Sequence, residues 1–149
     1  LRLIRELLDY ERVEHRTDIK LALETAMRLT PRRAVVFLIS DLLDSGFETT
    51  LAIANRRHDV VALRLTDPGE LSMPKTGYLA LCDAESGETA SFSGHSAAAL
   101  RQMTLEATGM RLRHTQFCKR AGVDLIDLQC GQDIVRPLML FFEARGKRR

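Results

Sequence analysis

The stretch RAVVFLISDLLDSG, residues 33–46, decides the class of fold. Its apolar run stops at Ser40-Asp41, and Ala34 to Ile39 shows no alternation with polar residues. Such a run is expected to be a strand covered on both faces, as in a parallel sheet. Asp41 then stands at the carboxyl tip of that strand, where open α/β sheets gather their ligands. Asp67 should lie at the same edge beyond the next strand, with Asp44, Ser45 and Glu70 near in sequence. Hard oxygen donors of this kind suit Mg²⁺, Mn²⁺ or Ca²⁺. Turn chemistry explains the same residues equally well. Ser40 or Asp41 can cap the following turn, and Asp67 can close an Asx-turn before Pro68.

On the amino-terminal side, Leu3, Ile4, Leu7 and Leu8 form the apolar stripe of a short helix. Thr17 can N-cap a second helix carrying Ile19, Leu23, Ala26 and Met27, with Asp18 suited to its positive end. Pro31 stops that helix. On the carboxyl side, Phe47 to Arg57 reads as a helix with Leu51 and Ile53 apolar, and a second buried strand runs from Val60 to Leu65. Strand, helix and strand joined this tightly form a right-handed βαβ unit. Asp67-Pro68-Gly69-Glu70 is a turn, and Tyr78 to Cys82 with Glu88 to Phe92 form a hairpin around Gly87, a glycine suited to positive φ. From His95 to Ala121 one helical face carries Leu100, Met103, Ala107, Met110, His114, Phe117 and Ala121, widened by Leu105 and Leu112. Gly122 ends that helix. Val123 to Leu128 is a third core strand, and a last helix from about Asp133 buries Ile134, Leu138, Phe141 and Phe142. The alternation of strands and helices predicts α/β layers around a mainly parallel sheet with a β-hairpin.

Composition narrows the function. The chain has 149 residues, 45% of them hydrophobic and 28% charged, which fits one globular domain. A net charge of +2 and 5% aromatics, with no Trp, give neither a strong field nor a stacking surface for nucleic acid. The basic end, Arg145 to Arg149, reads as a solvated tail. Cys82, Cys118 and Cys130 lack metal or disulfide spacing, so reduced, mostly buried thiols in a cytoplasmic compartment are expected. No run reaches membrane-span length. The chain opens without Met inside a helix, as a piece of a longer protein would, and an upstream membrane anchor is compatible with that. The four histidines, His15, His58, His95 and His114, are dispersed and flank no nucleophile motif. His58 beside Asp59 suits a helix end better than a dyad. Phosphate-binding glycine motifs are absent.

Several segments, in order, resemble one bacterial family. Thr17-Asp18-Ile with Ala22-Leu23, VVFLISD, Arg57-His58-Asp59-Val, Asp67-Pro-x-Glu70 with Pro74 and Gly77, Asp83-x-Glu-x-Gly87 and the closing IVRPLMLFF all resemble the domain of unknown function 58 family. The resemblance implies a Rossmann-like three-layer sandwich of the von Willebrand factor A-like type, with residues 1–149 as its carboxyl-terminal portion and the amino-terminal strands missing. It implies a non-enzymatic protein-interaction role beside a MoxR-type AAA+ ATPase, in protein maturation or complex assembly. The alternative is a divalent-metal-dependent hydrolase using Asp41, Asp67 and Glu70.

Domains of the von Willebrand factor A type hold a divalent ion through D-x-S-x-S, a Thr loop and an Asp at a strand end. Thr17 and Asp41 match the second and third parts, and D-x-S-x-S is absent from this chain. No tight metal site is therefore expected here, with Mg²⁺ or Mn²⁺ left to the intact domain. The implied first strand would lie beside Ala34 to Ile39. Without it that edge is open, and a homodimer through the exposed strand is the expected consequence.

Overall fold

The computed structural model describes residues 2–9, 17–71, 77–82, 89–93 and 97–147. Along the chain run α1 (Arg2–Leu8), α2 (Ile19–Leu29), β1 (Val35–Ser40), α3 (Glu48–Arg57), β2 (Asp59–Thr66), α4 (Pro68–Leu71), β3 (Tyr78–Cys82), β4 (Thr89–Ser93), α5 (Ala97–Ala121), β5 (Asp124–Gln129) and α6 (Val135–Gly146). Strands β1, β2 and β5 form a parallel sheet with β2 in the centre, and β3 and β4 form a separate antiparallel pair. Val36 lies level with Val60, and Arg64 with Asp127. The α/β class, the parallel sheet and the hairpin agree with the sequence reading. The hairpin's turn, with Asp83, Glu85 and Gly87, lies outside the described residues, as does Pro74.

Helices cover both faces of the sheet, unequally. On one face Ile19 and Leu23 of α2, Leu51 and Ala54 of α3, and Phe117 and Cys118 of α5 pack on Val60 and Ala62, with Val36 and Leu38 at the margin. Phe47, just before α3, meets Phe117 edge to face at 5.4 Å between centroids. On the other face, among the described residues, Leu138 and Phe141 of α6 lie over Val61, Leu63, Ile126 and Leu128.

Local chemistry sets the joints of the well-covered face. Gly122, at φ +67°, closes α5 as a Schellman turn. Its N–H donates to Lys119 O at 3.2 Å, and Val123 N–H donates to Cys118 O at 2.9 Å. Asn55 of α3 locks this turn. Its Nδ2 donates to Ala121 O at 3.0 Å and Gly122 O at 2.9 Å, while its Oδ1 accepts from Val60 N–H at 3.0 Å. One amide thus ties the end of α5 to α3 and to the start of β2.

Several burial expectations are corrected. Strand β1 is not covered on both faces: Val35, Phe37 and Ile39 are 51%, 45% and 60% exposed. The reason is that α6 packs over β2 and β5 and meets β1 at its margin, where Phe142 lies 6.2 Å from Phe37. Ile53, Leu105 and Leu112 point outward from helices whose buried stripes run through Leu51 and Ala54 and through His114 and Phe117. Ile134 and Phe142 are also exposed, and α6 contains no fully buried residue. Of the cysteines only Cys118 is buried, and desolvation pushes its thiol up to about 11 against the opposing pull of Arg64.

Candidate functional site

The carboxyl edge of the sheet is built by a left-handed step. Leu42 has φ +63°, a conformation that costs a non-glycine residue about 1–3 kcal/mol. Its side chain is completely buried, and burying a Leu stabilises by about 1.5–3 kcal/mol, which offsets the strain. The step drops Leu42 into the core and leaves Asp41 and Leu43 outside. Asp41 Oδ1 accepts Leu43 N–H at 3.1 Å and the Ser40 hydroxyl at 3.3 Å, and Ser40 Oγ accepts Leu42 N–H at 3.0 Å. The turn role of Ser40 and Asp41 is therefore real.

The Asp44 carboxylate carries the loop across to α2. Its Oδ2 accepts Ile19 N–H at 2.8 Å, and its Oδ1 accepts Ser45 N–H at 2.7 Å. The N-cap of α2 is Asp18, whose Oδ1 accepts Leu21 N–H at 2.7 Å. This corrects the assignment of the cap to Thr17: the helix starts at Ile19, one residue later than that reading needed. Thr17 lies exposed one position before the cap. Loops 17–19 and 41–44, separate in sequence, are thus joined at one edge, with two carboxylates satisfying the first turn of α2.

Asp67 also lies at this edge, one residue beyond β2. Its Oδ1 accepts Gly69 N–H at 2.7 Å, the Asx-turn that leads into α4, where Glu70 lies. Among the described residues no group of three or more His, Cys, Asp or Glu side chains could hold a metal ion. Thr17 and Asp41 supply one hydroxyl and one carboxylate, whereas Mg²⁺ demands near-octahedral coordination by six oxygens.

Beside this edge sits an ion-pair clamp that the sequence reading missed. Arg64, 4% exposed, grips Asp127 in the paired position of β5 through Nε at 2.6 Å and Nη2 at 2.9 Å. Its third arm donates to Arg111 O at 2.9 Å. The Arg111 side chain returns to Asp127 at 3.1 Å and to Thr66 Oγ1 at 2.9 Å. The clamp fixes the middle of α5 to the ends of β2 and β5. A mainly apolar cavity of about 360 Å³ opens between α5 and the strand ends, lined by Asp41, Leu43, Thr66, Met103, Met110 and His114 among others. His114 packs edge-on to Phe117, and no hydrogen bond reaches its Nδ1. Burial first, then Arg64 and Arg113, lower its pKa, opposed by Glu48 and Asp41. The only hint of the clamp was a lone Arg inside the apolar strand VVALRLT.

His58 and Asp59 form no dyad. The His58 ring is buried with neither nitrogen hydrogen-bonded, and Asp59 pairs with Arg145. The backbone of His58 serves the helix end, its N–H donating to Ala54 O at 2.8 Å.

Fold and edge together define an α/β protein of the Rossmann-like class with its loops gathered at the carboxyl ends of parallel strands. The chain belongs to the family described as protein of unknown function DUF58, whose family model matches residues 1–113. It is 27% identical over 134 residues to an uncharacterised protein of Mycobacterium avium, covering 89% of this chain and 78% of that protein. It is 29% identical over 134 residues to uncharacterised proteins of Mycobacterium bovis and Mycobacterium tuberculosis, and spans 42% of their length. No solved structure matches. No helix among the described residues is long and apolar enough to cross a membrane.

Proposed function

We propose that this chain is the carboxyl-terminal part of a von Willebrand factor A-like interaction domain, without enzymatic activity, that works with a MoxR-type AAA+ ATPase in protein maturation or complex assembly. One observation carries the reading: the 2.8 Å bond from Ile19 N–H to Asp44 joins the Thr17 loop to the Asp41 loop at the carboxyl edge. These are the two loops that match the second and third parts of the ion-dependent site of such domains. The D-x-S-x-S part would come from a segment outside these 149 residues, and the Mycobacterium bovis and Mycobacterium tuberculosis relatives are more than twice as long as the stretch matched. The intact domain would then hold Mg²⁺ or Mn²⁺ and present it to a protein carboxylate.

The test is retention of a purified bacterial MoxR-type ATPase on the immobilised chain, with ATP and with ADP, beside Asp41→Ala of verified fold. Retention that Asp41→Ala weakens at least fivefold supports the reading. No retention with either nucleotide overturns it. So does phosphoester turnover with Mn²⁺ that Asp41→Ala abolishes, the result expected of a hydrolase using Asp41, Asp67 and Glu70.

A further inference from the structure

The net charge of +2 averages two opposite poles. Helices packed on the parallel sheet run back against the strands, so α2, α3, α5 and α6 all end at its amino edge. Three joints hold them there. Asp59 N–H donates to Ala34 O, Asn55 ties the end of α5 to the start of β2, and Arg145 pairs with Asp59 and Asp124. Around this edge Arg32 and Arg33 lead into β1, Arg56 and Arg57 close α3, and Lys119 and Arg120 close α5. All six are exposed, and none forms an ion pair among the described residues. Glu143, in the last turn of α6, is exposed and outnumbered. The carboxyl edge carries Asp18, Asp41, Asp44, Asp67 and Asp133 instead.

Attraction to helix carboxyl ends accounts for Arg56, Arg57, Lys119 and Arg120. It does not account for Arg32 and Arg33, which lie in the loop beyond the Thr30 cap of α2. Nor does it account for Leu29, three residues ahead of Arg32 and 77% exposed. Arginines gathered at one edge suit phosphate, which a planar guanidinium grips through two N–H groups. Segments 28–34, 55–59 and 118–124 contain no Phe, Tyr or Trp on which a base could stack. An exposed apolar side chain beside unpaired cations fits a lipid interface better than a nucleic acid.

We propose that the amino edge docks on an anionic phospholipid bilayer, with the arginines on headgroup phosphates and Leu29 dipping into the interface. The proposal stands apart from the ion-site reading. Strand β2 is eight residues long, which separates the two edges by roughly 25 Å, well beyond the Debye length of about 8 Å in physiological salt. The carboxylates of the far edge therefore do not cancel the attraction, and an inverted approach is repelled. Docked this way, the strands stand on the membrane and the Asp41 loop faces away from it.

The test is sedimentation of the full chain with vesicles of phosphatidylcholine, alone or with about 30% phosphatidylglycerol, in about 0.1 M salt. The wild type should bind the anionic vesicles and leave the neutral ones. Arg32→Glu with Arg33→Glu, and Arg56→Glu with Arg57→Glu, should each weaken binding at least tenfold. Lys20→Glu with Arg136→Glu makes the same charge change at the carboxyl edge and should stay within twofold. Leu29→Ser leaves the charge alone and should weaken binding at least threefold. Circular dichroism checks the fold of each variant. No binding to the anionic vesicles overturns the proposal, and so does capture by duplex DNA or polyglutamate without it. An equal loss in the Lys20 and Arg136 pair overturns the assignment to this edge, and an unaffected Leu29→Ser overturns the insertion.

Discussion

The two faces of the central sheet are made of the same kind of residues and are finished to different degrees. Under α2, α3 and α5, Leu51, Val60 and Ala62 are at most 1% exposed, and Asn55 and Arg64 bolt the helices to the strands. Under α6 the cover is one helix wide, and β1 projects beyond it with Phe37 and Ile39 still in solvent. The contrast teaches that the apolar content of a strand sets its capacity to be covered, while the helices present decide how much cover it receives. The closed face holds the fold, and the open face leaves the outer row of β1 in solvent.

Truncations should separate the faces most strongly. Leu51→Ala, in the fully buried row, should cost about 3 kcal/mol in denaturant unfolding, because the lost transfer energy and the cavity add. Ile39→Ala on the open face should cost below about 1 kcal/mol when measured on the dilute chain, since most of that side chain is already wet. Equal costs would break the comparison.

Asn55→Leu tests the bolt instead of the packing. It strips Val60 N–H of its acceptor and two carbonyls of their donor, and should destabilise by about 2 kcal/mol, read as a lower urea midpoint at unchanged slope. A loss below about 0.5 kcal/mol would show that the helix end stands without it.

The smallest effect is pH dependence through His114. Its pKa is lowered in the fold, so the unfolded chain binds the proton more readily. The contribution is therefore present above the unfolded value of about 6.5 and is lost as pH falls from there through the folded value. Acidification should lower the Tm of the native chain more than that of His114→Gln. The opposite ordering would mean that His114 charges favourably in place.

Much of this contrast was legible in the sequence, and the missing parts have physical causes. The helical face through Met103, His114 and Phe117 could be read because period 3.6 leaves one stripe. The continuous run Ala34 to Ile39 predicted a strand correctly and its cover wrongly, because continuity records no partner. Leu42 gave no sign of its left-handed step, lacking the Gly or Asn that marks such positions. Turn chemistry at Asp41 and Asp67 was foreseen from residue type, whereas the link from Asp44 to Ile19 spans 25 residues and follows only from the packing of α2 beside the loop. Arg64 was passed over for a similar reason: a buried guanidinium makes sense only once Asp127 stands opposite it.

Amide hydrogen exchange along β1 tests the central claim most directly. In dilute solution the Val36, Leu38 and Ser40 amides should exchange slowly, held by β2, while those of Val35, Phe37 and Ile39 exchange fast. Uniform protection of all six amides at every dilution would contradict the account, because the edge would then be closed within the single chain.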